Sequence, residues 1–469
     1  MKEVAKLLKL IQNEYIKVFK KISTLIWIAI VLLITVGLSF VMKIQVDYEN
    51  SWYSEYSDSD MYTEEMVESQ VNAMKDTPSF YQDEADNAFW LTLQENKLYD
   101  GEPMQYNLLR ILCNNFIDNK DEGSTHSTSY KEAVNAIIAK DYNTAYSCFA
   151  KMYQEPTYTF EGSEDAIKNP YQYKLDHNLI ALSEEDVMSR LVDEIVYLQS
   201  TLESNFLSNN TENEDYHNTL NSYLITQYRL KNNIVTTIND STSISSYADD
   251  SSSNYWSGIK FSASMTMVVS ILMIVIAGGI VAEEFAHGTI KFLLINPVKR
   301  SKIIFSKFLT IVSLTIFFMI GYYILNILLG MALYGTSDLG IPLLKVSGGE
   351  VVRSSGFGFT ASLYGYATIS VITYATMAFA ISSLFRNSAI AIGASVACLI
   401  SGNIITQLLY VFRQDWGRYL IFANTDLLSI KNNASLYPHH TMTFAIVTIF
   451  VYLFVFLLTA YDGFTRREV

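Results

Sequence analysis

Residues 261–300 read FSASMTMVVSILMIVIAGGIVAEEFAHGTIKFLLINPVKR. Phe261–Ala282 carries no charged residue and is about as long as the roughly 20 apolar residues a membrane helix needs. The run stops at two adjacent carboxylates, Glu283 and Glu284. Gly288 then breaks or bends the chain, and Thr289 is placed to cap a new helix with its hydroxyl. Ile290–Ile295 is a short amphipathic segment, too short to span, and Pro297 stops it. The Lys299-Arg300 pair opens the next apolar run. A span, a charged boundary, a short amphipathic turn and a second span define a polytopic membrane protein. The turn between them is a natural place for a soluble partner to grip.

Working outward, six stretches qualify as spans: Thr24–Met42, Phe261–Ala282, Ile303–Leu333, Ala361–Phe385, Ser388–Val411 and Thr441–Tyr461. The third is longer than a bilayer requires and is expected to tilt or protrude. Before the first span stand Lys2, Lys6, Lys9, Lys17, Lys20 and Lys21. No small-residue cleavage site follows that span, so it reads as an uncleaved signal anchor. The lysines place the N-terminus in the cytoplasm. Alternation then puts the 283–302 loop, the Arg386 turn and the tail with Arg466 and Arg467 on the same side. Residues 1–23 also show Val4, Leu7, Leu8, Ile11, Tyr15, Val18 and Phe19 at helical spacing among the lysines. This predicts an amphipathic helix on the inner membrane surface; the alternative is a plain extension of the span at 24–43.

Between the first two spans lies a polar domain, residues 44–258. It holds 37 acidic and 12 basic residues, a net −25, whereas the whole chain is −14, so the remainder is +11. That balance excludes a nucleic-acid surface, which needs positive charge to displace counterions. It suits a domain outside the cell, away from the negative inner leaflet. Helical spacing of apolar residues is expected over Tyr130–Tyr153, Glu184–Phe206 and Asp215–Ile238, the last two as an antiparallel pair broken at Ser208–Glu214. Ser241–Ser253 reads as a polar linker back to the membrane. The acidic, tyrosine-rich surface fits a cationic amphipathic ligand, or simply keeps a helical domain soluble. Cys113 and Cys148 are 35 residues apart; outside the cell they could pair, although such cysteines are more often free core thiols.

No P-loop, His-Glu-x-x-His or Gly-x-Ser-x-Gly motif occurs, so no catalytic or metal site is expected and ATP is not bound through a P-loop here. His439-His440 reads as a surface or interfacial pair. Apart from Lys307 near a helix start, no Asp, Glu, Lys or Arg stands deep inside a span, which disfavours a proton-coupled carrier. Asn326, Asn403 and Gln407 are expected to bond to neighbouring helices. On the fifth span Ala389, Gly393, Ala397 and Ser401 recur every four residues, spacing that lets two helix backbones approach closely. They fit packing within one chain or against a second subunit.

The pattern Glu283-Glu284, three residues, Gly288-Thr289, an apolar-basic segment, Pro297 and Arg300 resembles the first cytoplasmic loop of ABC-2 type permeases. The nearest likeness is to the bacterial subgroup of bacitracin-resistance, lantibiotic-immunity and sodium-efflux permeases. Trp416–Leu427 looks like that family's external helix. The large domain between the first two spans is a departure, since many members have short first external loops, so substrate identity does not carry over. The resemblance implies a mainly α fold: a six-helix transmembrane domain of the ABC-2 type, with a large helical extracytoplasmic domain inserted between spans 1 and 2. It implies that Gly288, Thr289, Ile290, Lys291 and Phe292 form a coupling helix docking on a separate P-loop ATPase. Glu283 and Glu284 would sit beside basic residues of that ATPase or of the N-terminal helix. Phe385 and Arg386 would make a second, smaller contact. The implied assembly contains a second permease subunit, identical or not, packed on the fifth span, in a lipid membrane. ATP and Mg belong to the partner ATPase, with no cofactor and no enzymatic activity in this chain. The expected function is export of an amphipathic or peptide-like substrate, such as an antimicrobial peptide. The alternatives are a membrane-anchored receptor or immunity protein that binds a cationic peptide without transport, and a sodium-efflux permease.

Overall fold

Each of the six apolar runs folds as a helix long enough to cross a membrane: Ile22–Tyr48, Asn254–Ala286, Arg300–Tyr334, Gly356–Phe385, Ser388–Val411 and Met442–Thr465. They are called here the first to sixth spans. The computed structural model describes residues 2–58, 62–76, 83–99, 101–120, 123–160, 162–180, 186–208, 210–211, 213–238, 254–286, 300–385, 387–431, 435–438 and 440–465. Mainly helical throughout, the chain divides into two compact units. One comprises Met1–Gln45, Ile238–Leu343 and Ser354–Val469; the other comprises Val46–Thr237 and Leu344–Arg353.

In the membrane unit the second and fourth spans are the most buried, while the first and sixth are largely exposed. Small residues let the central helices meet. A Cβ on Gly278 would lie 2.8 Å from Ile392, and one on Gly330 would lie 2.8 Å from the Tyr255 ring. Many hydroxyls inside the spans satisfy themselves on the preceding turn: Thr310 donates to the Ser306 carbonyl at 2.9 Å and Thr376 to that of Ile372 at 2.7 Å. A hydroxyl paired in this way costs little in apolar surroundings.

The second span is not one continuous helix. It runs as Asn254–Ser264 and Met267–Ala286, with a break at Met265-Thr266. Its first segment is anchored by fully buried Tyr255 and Trp256, the indole donating to the Asp338 carbonyl at 2.8 Å. Asn326 bonds to the Tyr322 carbonyl of its own helix at 2.8 Å, and Asn403 and Gln407 are exposed, so none of the three forms the bond between helices that its position suggests.

Trp416–Leu427 does not form one helix. It folds as a 3-10 turn, Asp415–Tyr419, and a single helical turn, Ile421–Asn424, before the short helix Leu427–Lys431. Gly402 of the fifth span leaves the space that the Phe422 ring occupies. Ahead of the fourth span the chain makes a hairpin of strands Pro342–Ser347 and Glu350–Ser355. Its turn is Gly348-Gly349, both at positive φ (62° and 84°), which glycine adopts without the Cβ penalty.

The second unit is helical, apart from the hairpin residues it includes. Val187–Leu207 and Glu214–Lys231 form the expected pair, started by the Asp186 and Asn213 side chains accepting backbone N–H groups. Leu191, Ile195, Leu198 and Leu202 are buried as their spacing predicts. On the second helix the buried apolar residues are Tyr216, Tyr223 and Leu230, seven apart, with Leu220 and Leu224 only partly covered. Tyr130–Tyr153 breaks into Ser127–Ile138 and Tyr142–Met152. Lys140 sits at φ 60° between them and Asp141 caps the second helix. A polar pair able to turn and cap outweighs the continuous apolar spacing. Cys113 and Cys148 are both free and buried in one core.

Candidate functional site

The two carboxylates that close the second span meet the N-terminal helix. That helix, Lys2–Lys20, carries Glu14 and Lys17 one turn apart on one face, and Lys21 follows at its end. Tyr15, Val18 and Phe19 pack the same side against the membrane core. The Tyr15 hydroxyl donates to Ser313 at 2.8 Å, and the Phe19 ring lies 6.2 Å from that of Phe318. Leu8 and Ile16 are exposed instead, so the packed face is narrower than the apolar spacing suggests.

Lys307, two turns into the third span, has no exposed surface. Its ammonium donates to Glu14 at 2.8 Å, to Glu284 at 2.8 Å and to the Ile280 carbonyl at 3.0 Å. Three donors therefore meet three acceptors, and the cation is fully satisfied. Lys17 completes the cluster, 2.8 Å from Glu284 and 3.2 Å from Glu14. Two cations balance two carboxylates, which is the condition for burying them together. Beside the quartet, Lys21 pairs with Glu283. A Cβ on Gly279 would stand 2.6 Å from a Glu283 oxygen, so that side chain folds back over the glycine one turn earlier. Burial works against the Lys17 ammonium. Its hydrogen bond to Glu284 and the charges of Glu14 and Glu284 outweigh that and raise its pKa above the ordinary lysine value.

Other spans converge on the same end. Ser382, in the last turn of the fourth span, donates to the Gly278 carbonyl at 2.7 Å and accepts the Ala282 N–H at 3.1 Å. Phe285 meets Phe464 of the sixth span edge to face, and Arg300 donates to the Thr465 carbonyl at 3.4 Å. The end of the second span is therefore tied to the third span through Lys307, to the fourth through Ser382 and to the N-terminal helix through Lys17.

Of the residues singled out in the sequence, Glu283, Glu284 and Arg300 are brought to this end of the bundle. Gly288, Thr289, Ile290, Lys291, Phe292 and Pro297 lie outside the described residues, as do Arg386 and His439. Phe385 is exposed at the end of the fourth span. Ala389, Gly393 and Ala397 are exposed and Ser401 is half-buried. The buried face of their helix holds Ala391, Ser395, Leu399, Gly402 and Thr406. The repeat therefore does not form the buried face of its helix among the described residues; a Cβ on Gly393 would meet nothing within 4 Å. Glu283 and Glu284 meet basic residues of the N-terminal helix and its end, Lys21 and Lys17, one of the two settings expected for them, whereas the parts of Glu14 and Lys307 were missed. The available signals were a carboxylate set among the lysines of an amphipathic helix and a lysine inside an apolar run. Among the described residues no group of three or more His, Cys, Asp or Glu side chains is placed to hold a metal ion.

Comparison with known proteins places the chain beside a relative named as a membrane protein. A family model described as "Protein of unknown function (DUF2705)" matches residues 223–469, which contain the second to sixth spans. The "Uncharacterized protein YhcI" of Bacillus subtilis (strain 168) is 34% identical over 236 residues, 50% of this chain and 75% of that protein. The "Uncharacterized membrane protein YdbK" of the same organism is 33% identical over 217 residues, 46% of this chain and 84% of that protein. No solved structure matches. Six apolar helices and a relative named as a membrane protein identify a membrane-embedded protein.

Proposed function

We propose that this chain, which belongs to the DUF2705 family, is the membrane-spanning permease subunit of an ATP-driven exporter of the ABC-2 type. The N-terminal helix and the 283–302 loop face the cytoplasm, and the acidic domain between the first two spans lies outside the cell. A separate P-loop ATPase docks on the 283–302 loop and carries ATP and Mg. A second permease subunit packs on the face of Ala389, Gly393, Ala397 and Ser401. The substrate is amphipathic or peptide-like, drawn to the outer domain by its negative charge.

The observation that supports this reading best is the buried cluster of Glu14, Lys17, Glu284 and Lys307 at the root of that loop. A loop that receives force from an ATPase needs a stiff connection to the helices it moves. Charge-assisted hydrogen bonds among buried groups supply stiffness and direction, because a partial displacement leaves a buried charge unpaired. In this reading ATP binding pushes the loop, Glu284 carries the displacement to Lys307, and the third and fourth spans shift as a packed unit.

The test is a mild-detergent purification from native membranes with mass spectrometry of the retained proteins. A stoichiometric P-loop ATPase is expected, lost with Glu284→Lys while membrane insertion persists. Absence of any ATPase, including after crosslinking, overturns the exporter reading. The acidic domain as a receptor for a cationic peptide then becomes the leading account of the chain.

A further inference from the structure

The first span is largely exposed, and beside it opens a cleft of about 320 Å3 bounded by the first, second and third spans. Val31, Val269 and Leu272 form its buried floor, and exposed Leu32, Phe317 and Ile324 form its rim. The lining is almost wholly apolar, so water finds too few hydrogen-bonding partners to fill it. Its volume is about twice that of the ~150 Å3 apolar cavity known to take up benzene. It also reaches the lower end of the roughly 300–1,000 Å3 typical of ligand pockets.

Gly321 adds a second, independent observation. It sits in the middle of the third span and lines the cleft, yet a Cβ there would meet nothing within 4 Å. Glycine is a poorer helix former than alanine, and no contact among the described residues requires it here. The space beside it is open. Because the spans lie in a membrane, the cleft opens onto lipid. Exposed Lys20 ends the N-terminal helix, and Ile28 of the lining lies six residues, roughly 9 Å, into the first span that begins at Ile22. That offset matches a phosphate at the membrane surface with its hydrocarbon running inward.

We infer that this cleft is a binding site for one acyl chain of an anionic membrane phospholipid, the chain lying over Gly321 and the phosphate held at Lys20. The occupant wedges the first span away from the third while filling the space between them. The site follows from membrane embedding alone and stands whether or not the chain is a transporter.

The test uses the full chain in bilayer discs containing phosphatidylglycerol with a photoreactive diazirine in one acyl chain. Irradiation, proteolysis and mass spectrometry then locate the crosslinks. Labelling is expected to concentrate on the peptides holding Leu32, Phe317 and Ile324, above that on the exposed Phe450 and Phe454 of the sixth span. Gly321→Leu fills the cleft and lowers its labelling to the sixth-span level, while the sixth-span labelling itself stays constant and reports an intact fold. Leu32→Trp, which narrows the mouth, gives the same loss should Gly321→Leu fail to fold. Phosphatidylcholine with the same chain labels the cleft less, and Lys20→Gln removes that difference. Cleft labelling no higher than on the sixth span, or unchanged by both variants, overturns the site. Equal labelling by the two lipids overturns the placement of the phosphate at Lys20.

Discussion

Replacing Lys307 with methionine is the sharpest perturbation of the buried cluster. The side chain is unbranched and apolar, so packing is largely kept while the charge is removed. At 2.8 Å and an effective dielectric of 20, each of its two ion pairs is worth about 6 kcal/mol before desolvation is counted. Removing one partner of a buried pair typically costs 3–5 kcal/mol, because the other charge is left behind. Here Glu14 and Glu284 would be left facing each other with Lys17 alone between them. Lys17 is partly exposed and offsets only part of the loss, so about 3 kcal/mol is expected for Lys307→Met. Adding Glu14→Gln restores neutrality around the Lys17–Glu284 pair, and the double variant should recover at least about half of the loss. Unfolding in detergent micelles, followed by fluorescence for the wild type, each single variant and the double variant, measures the coupling. A single variant as stable as the wild type, or a double variant whose losses simply add, would refute the account of the cluster as one balanced unit.

Two glycines on the fifth span should behave oppositely. Gly402→Ala drives a methyl group into the Phe422 ring and is expected to cost about 1–3 kcal/mol by overpacking, read as a lower melting temperature. Gly393→Ala meets open space and should raise helix stability by up to about 1 kcal/mol. Gly393→Leu leaves the single chain folded but should shift native mass spectra from dimer to monomer if that face carries a second subunit. His440 gives a pH signature. Asn424 donates to the Arg418 and Leu420 carbonyls, so its oxygen faces His440 Nε2 at 2.9 Å; this assigns the ring proton to Nε2 and leaves Nδ1 to accept from Ser435 at 2.8 Å. Burial, and secondarily the Arg418 charge, lowers its pKa below the ordinary 6.5. The unfolded chain then binds more protons in mild acid, so this contribution to stability is present above about pH 6.5 and is lost as pH falls through the folded value. The stability gap between wild type and His440→Gln should therefore narrow from about pH 7.5 to about pH 5. A constant gap would refute the neutral, buried assignment.

The spans, their number and the helical character of the 44–258 segment are legible from apolar run length and spacing alone, because a backbone in apolar surroundings must close its own hydrogen bonds. Helix starts at Asp186 and Asn213 are legible for a similarly local reason: a short polar side chain can accept the first free N–H groups. Where two local signals compete, as at Lys140-Asp141 within an apolar-periodic stretch, the spacing by itself misleads. The role of Glu284 shows the boundary most clearly. Its place at the end of a span is written in residues 261–300. Its partners, Lys17 and Lys307, lie 267 and 23 residues away along the chain. Lys307 is 293 residues from Glu14, and no local pattern joins them. Which face of the fifth span is buried was undecided by a repeat of small residues, since the neighbouring face carries Gly402 and Thr406 with equal claim. Packing resolves it, Phe422 lying against Gly402 and Gly278 against Ile392. Chain-local physics determined that these segments are helices long and apolar enough to cross a membrane and where most of them start. Tertiary structure decided which charges are buried together, because a buried charge takes its partner from whatever helix lies beside it in space.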